Sequence, residues 1–171
     1  MQVNSIVTVK ELDVHTKVQD VIFKDYLGDH EVSRVRRSPK YVFICHDTVN
    51  DAVLLQYRTN LNSMAEGYFM PEISVGPNDD HYEPIEAMNI LTMGAITLKS
   101  AVEVMRLNAD SREFAPVAFM YCIFDSRQVP QDSAEWATTP ASILINKYLK
   151  GKCEGLEEYI TGSILKSMRY Q

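Results

Sequence analysis

The chain has 171 residues, of which 46% are hydrophobic and 23% charged; this suits one folded domain spanning residues 1–171 and excludes a disordered, charge-rich chain. A formal net charge of −6 works against broad adhesion to nucleic acid or anionic lipid, so nucleic acid is not an expected partner. Cys45, Cys122 and Cys153 are odd in number and form no Cys-x-x-Cys pair, so a disulfide framework and a structural zinc site are not expected, and no run of about 18 apolar residues marks a membrane span.

In chain order, Ile6 to Val9 read as a short first strand. From Leu12, apolar residues at Val14, Val18, Val21, Ile22 and Leu27 recur at helical intervals and predict a first helix stopped by Gly28. Glu31 to Arg37 read as a strand that turns at Ser38-Pro39 into the apolar run Tyr41 to Cys45, an interior strand covered on both faces. Asp47 and Thr48 are good helix caps, and Leu54, Tyr57, Leu61 and Met64 then predict a second helix. Pro71 makes Tyr68 to Val75 an edge strand or an irregular segment. Gly76 to Glu83 reads as a solvated connector, its acidic residues lacking the ligand spacing of a calcium loop.

Pro84 opens a long third helix whose apolar face runs through Ile85, Met88, Leu91, Ala95, Leu98, Val102 and Met105, interrupted by Gly94. Val117 to Phe124 is a second interior strand, followed by a polar stretch from Asp125 to Thr139 that contains the only tryptophan, Trp136. Pro140 opens a fourth helix through Tyr148, Gly151 breaks it, and Leu156, Ile160, Ile164 and Met168 give a terminal helix. The expected fold class is therefore α+β, or α/β: a mixed sheet of four to five strands packed by four to five helices.

The two interior strands end abruptly in ionisable residues. If the strands are parallel neighbours, His46, Asp47, Asp125 and Ser126 emerge together outside their carboxyl ends, where ligands of open α/β sheets bind. A histidine and two carboxylates there suit general acid/base work, or the carboxylates could hold hydrated Mg²⁺. Against this, Asp47 could simply cap a helix and Asp125 start a turn. Cys45 cannot pair with His46 as a nucleophile, because adjacent residues on a strand point to opposite faces. Arg34, Arg36, Arg37 and Lys40 gather positive charge on one hairpin, either to meet a partner or to protect a sheet edge. Seven scattered glycines form no phosphate-binding loop, so nucleotide cofactors are not expected.

The stretch Ile44-Cys45-His46-Asp47-Thr48-Val49 resembles the hydrophobic-His-x-Thr-hydrophobic motif of the two-histidine phosphoesterases. The resemblance implies that His46 moves a proton and Thr48 contacts a phosphate. That family uses two such motifs. Here His15-Thr16 has the wrong spacing, and in His30-Glu31-Val32-Ser33 the hydroxyl stands one position too far.

Two readings compete. The first is a non-catalytic subunit for protein contact or self-association, such as a virus or phage structural component or an inhibitor, with Arg34, Arg36, Arg37 and Trp136 as partner-binding residues. Its expected place is the cytoplasm of a cell or infected host cell. The alternative is a small hydrolase or phosphoesterase with His46 as acid/base, Thr48 or Ser126 orienting substrate, and Asp47 or Asp125 orienting the imidazole. No metal or other cofactor is expected on the first reading.

Overall fold

A computed structural model describes the backbone of residues 2–11, 16–25, 28–37, 40–60, 65–74, 83–107, 117–151 and 155–169, with side chains from residue 40 onward. The elements in chain order are β1 (Gln2–Glu11), β2 (Thr16–Asp25), β3 (Gly28–Arg37), β4 (Lys40–Asp47), β5 (Ala52–Thr59), β6 (Glu66–Phe69) and β7 (Glu72–Ser74). They continue with α1 (Pro84–Leu91), β8 (Ser100–Leu107), β9 (Val117–Ile123), a 3-10 turn (Ser126–Gln128), β10 (Trp136–Pro140), α2 (Ala141–Leu149) and α3 (Leu156–Arg169).

The chain divides into two compact units. One is built on the antiparallel sheet β1-β2-β3. Its register sets Val18 opposite Val35 and Val21 opposite Val32. The other holds the three helices and most of a seven-stranded sheet ordered β10-β5-β4-β9-β8, with β6 added on β5 and β7 on β4.

The expected balance of strands and helices is overturned: the large sheet alone has seven strands, and the described residues hold three α-helices. Each mistaken helix fails for a physical reason. The stretch predicted as a first helix is strand β2 over the described part, where Val18, Val21 and Ile22 are β-branched and the ladder runs to both β1 and β3. The predicted second helix is a tight turn followed by β5, whose consecutive Val53, Leu54 and Leu55 are buried on both faces of the sheet. Ladder pairing with the adjacent strands β4 and β6 and with distant β10 overrides the four-residue spacing. The predicted third helix stops at Leu91. Its end is closed by the left-handed pair Met93 (φ 51°) and Gly94 (φ 81°), and by a Gly94 N–H bond to the Asn89 carbonyl. Beyond it the chain becomes strand β8, with β-branched Val102 and Val104.

The core of the large unit is packed from Phe43, Phe119, Phe124, Ile44, Leu54, Met88, Ile96 and Leu165, all fully buried. β4 and β5 pair antiparallel with His46 opposite Val53 and Asp47 opposite Ala52. β4 and β9 are neighbours, and the Phe124 N–H donates to the His46 carbonyl at 3.3 Å, so their carboxyl ends meet and the strands run parallel. α2 and α3 pack closely: a Cβ on Gly162 would lie 2.9 Å from the Tyr148 Cβ. α3 is held along β5 at both ends. Near its start Glu158 accepts from the Asn60 amide just after β5 (3.0 Å), and at its end Arg169 reaches Asp51 just before β5 (2.8 Å). Among the described residues, no helix is long and apolar enough to cross a membrane.

Candidate functional site

The carboxyl ends of β4 and β9 bring together two distinct polar clusters. Alternation along β4 sends His46 and Asp47 to opposite faces of the sheet, so each serves a different one.

Asp47 forms the first cluster, with the segment after β9. Its Oδ1 accepts from the backbone N–H groups of Val49 (3.0 Å) and Asn50 (3.1 Å), closing the β4–β5 turn in the manner of an Asx turn. Its Oδ2 accepts from the Asn50 amide (3.0 Å), the Ser126 N–H (2.9 Å) and the Ser126 hydroxyl (2.6 Å). Burial acts to raise the Asp47 carboxyl, but the bonds from Ser126 and Asn50 outweigh it and hold the group well below the usual carboxylate range. Asp125 caps the 3-10 turn by accepting from the Arg127 N–H, and it chelates the Arg127 guanidinium at 2.7–3.1 Å. Bonds from the Arg127 side chain and backbone lower the Asp125 carboxyl to about 2. Both carboxylates are thus committed to donors within the fold, which does not suit the Mg²⁺ role considered for them. No group of three or more His, Cys, Asp or Glu among the described residues is placed to hold a metal ion. Most of the acidic connector lies outside the described residues.

The second cluster is centred on His46, which is only 3% exposed. Its Nδ1 lies 2.7 Å from the Tyr121 hydroxyl and its Nε2 2.8 Å from Asp51 Oδ1. The other Asp51 oxygen takes the Arg169 guanidinium at 2.8 Å, and the Asp51 carbonyl accepts the Ala141 N–H at 2.9 Å. Asp51 therefore joins β4, α2 and α3, and it does so from a left-handed backbone, φ 51°. A non-glycine residue in that conformation is strained unless its surroundings fix it. Tyr121 is half-buried; burial first, and then the nearby Asp51 charge, push its hydroxyl up.

Of the residues singled out from the sequence, the structure sets Asp47, Asp125 and Ser126 in one cluster and His46 in the other. Thr48 is exposed on the turn, with Val49 beside it at the tip. His46 is oriented by Asp51 and not by Asp47 or Asp125, which the alternative reading had placed beside it. Arg34, Arg36 and Arg37 are on β3, opposite Gln19, Lys17 and Thr16, and their side chains lie outside the described part. Trp136 is 6% exposed at the start of β10, opposite Gln56. Cys45 and Cys122 are free, buried thiols; burial, then Cys122 beside it, pushes the Cys45 thiol up. Cys153 lies outside the described residues.

Asp51, Tyr121 and Arg169 carry the site's geometry, and sequence reasoning missed all three. The Asn50-Asp51 pair was the available signal, since both residues tolerate turns and left-handed backbone. Tyr121 was hidden as one aromatic residue in an apolar run.

No family model matches the sequence, and no curated protein matches it. The fold does have a counterpart. The crystal structure of an ADP compounds hydrolase superposes with a TM-score of 0.68 at 12% sequence identity, covering 98% of this chain and 92% of that one. At that identity the likeness is one of fold, and the fold is mostly sheet. It corrects the expectation of a viral or phage assembly subunit, because the architecture is one that a hydrolase uses and nothing indicates a viral source.

Proposed function

We propose that this chain is a hydrolase of phosphate-linked compounds, with nucleoside diphosphate compounds as the first substrate class to test. The observation that carries the reading is the fold likeness to an ADP compounds hydrolase over nearly the whole of both chains. The polar chain Tyr121–His46–Asp51–Arg169 at the β4 and β9 ends supplies chemistry compatible with it. In this reading His46 holds the proton that hydrolysis must move, and Asp51 orients the ring and balances the imidazolium. Asp47, Ser126 and Asp125 keep the strand ends in register and make no contact with substrate.

The test is a panel of ADP-linked sugars, dinucleotides and free nucleoside diphosphates, incubated with the purified protein with and without added divalent cations and followed by ³¹P NMR. Protein-dependent cleavage of a phosphoanhydride, lost in His46→Gln, is the expected result. A panel with no compound cleaved above the protein-free rate would remove the reading.

A further inference from the structure

His46 is poorly placed to touch a substrate itself. It is almost wholly buried, and both ring nitrogens are already engaged. The protonation pattern follows from the partners. Asp51, a carboxylate that also pairs with Arg169 through its other oxygen, can only accept, so Nε2 must carry the hydrogen of that bond. In the neutral ring Nδ1 is then an acceptor, and the hydrogen between it and Tyr121 belongs to the tyrosine. The phenolic oxygen keeps lone pairs directed away from the ring, and Tyr121 is only half-buried where His46 is closed in.

We propose that Tyr121 is the catalytic residue that exchanges a proton with the attacking water, with His46 behind it as the proton store and Asp51 as the positioning residue. As the water oxygen forms its bond to phosphorus, a water proton passes to the Tyr121 oxygen and the phenolic proton passes to His46 Nδ1. The phosphoanhydride oxygen leaves with the bonding electron pair. The imidazolium, its charge balanced by Asp51, returns the proton through Tyr121 to the leaving group or to solvent. Tyrosine ends each cycle unchanged. Its hydroxyl is raised by burial and by Asp51, which disfavours a free phenolate and suits a relay in which both protons move together.

This rests on the hydrolase reading, and the experiment separates the two. ¹⁵N NMR of the histidine ring, recorded where His46 is neutral, is expected to show Nε2 protonated and Nδ1 bare in the wild type, with that preference weakened in Asp51→Asn. A ring protonated at Nδ1 overturns the relay whether or not a substrate is in hand. With a turned-over substrate, Tyr121→Phe should lower kcat by roughly 10²-fold with KM within about twofold. The solvent-isotope proton inventory should change from curved to linear. A Tyr121→Phe enzyme with kcat within about twofold of wild type overturns the relay. If no compound is cleaved, the hydrolase reading falls, and the relay, having no water to deprotonate, falls with it even where the ring carries the expected tautomer.

Discussion

Asp47 and Ser126, separated by 79 residues in sequence, meet across the parallel strand ends with the Ser126 hydroxyl 2.6 Å from the Asp47 carboxylate. The same carboxylate closes the turn between β4 and β5. One buried anion therefore fixes both the local turn and the long-range placement of the segment that follows β9.

Replacing that anion has a signed pH consequence. The folded Asp47 carboxyl lies below its ordinary value, so its contribution to stability is present above the unfolded pKa, about 4, and is lost as pH falls through the folded one. Asp47→Asn sets an amide NH2 donor against the two donors that Oδ1 now meets or the three that Oδ2 meets, and should cost roughly 2–4 kcal/mol at neutral pH. The difference from wild type should begin to narrow below about pH 4, where the unfolded chain takes up a proton at Asp47 that the folded one still refuses. Urea unfolding followed from pH 7 to pH 3 checks both statements.

At Asp51 backbone and side chain can be separated. Asp51→Gly removes the contacts to His46 and Arg169 but is at ease at φ 51°, whereas Asp51→Ala removes the same contacts and keeps a Cβ in a left-handed conformation. Both should be destabilised, and the alanine variant by about 1 kcal/mol more. Equal midpoints and slopes for the two in urea would contradict a strained turn.

Gly162 lies where α2 and α3 approach most tightly. Alanine there sets a Cβ 2.9 Å from the Tyr148 Cβ, which cannot swing aside as a side-chain tip could. The overpacking, about 1–3 kcal/mol, outweighs the gain in helix propensity of up to about 1 kcal/mol. A lowered Tm for Gly162→Ala, measured by calorimetry, is the expected outcome.

Gln56 is 8% exposed, and while its amide nitrogen donates to Glu135, its Oε1 is buried with no hydrogen-bond partner. Gln56→Leu removes that oxygen and releases only an exposed carboxylate, which water can satisfy. The variant should be neutral or more stable by up to about 1 kcal/mol, unlike most polar-to-apolar changes near a site. A loss of more than about 1 kcal/mol in denaturant unfolding would contradict this.

Much of the site's frame was legible in the sequence. Tyr41 to Cys45 and Val117 to Phe124 are apolar enough to read as interior strands, and their polar ends follow directly. α2 and α3 were equally plain, from Pro140, the break at Gly151 and a regular apolar repeat. The helices wrongly expected at Leu12 and after Thr48 share one cause: β-branched and leucine-rich stretches can match both periods, and the ladders that decide between them lie outside the stretch itself, on the neighbouring hairpin strands for β2 and on distant β10 for β5. Distance along the chain hid the site. His46 and Asp51 are five residues apart, but Tyr121 lies 75 residues from His46 and Arg169 comes from the last helix, so no local motif announces the group.

Asp51 also narrows what sequence change this protein can absorb. A replacement must tolerate a left-handed backbone, reach His46 and Arg169 with two separate acceptor atoms, and carry a negative charge between an imidazole and a guanidinium. Asparagine meets the first demand but lacks the charge, glutamate has the charge but one methylene too many, and glycine meets only the first. Aspartate alone satisfies all three, so a saturation library at position 51 should return one residue, while the adjacent exposed positions 48 and 49 accept many.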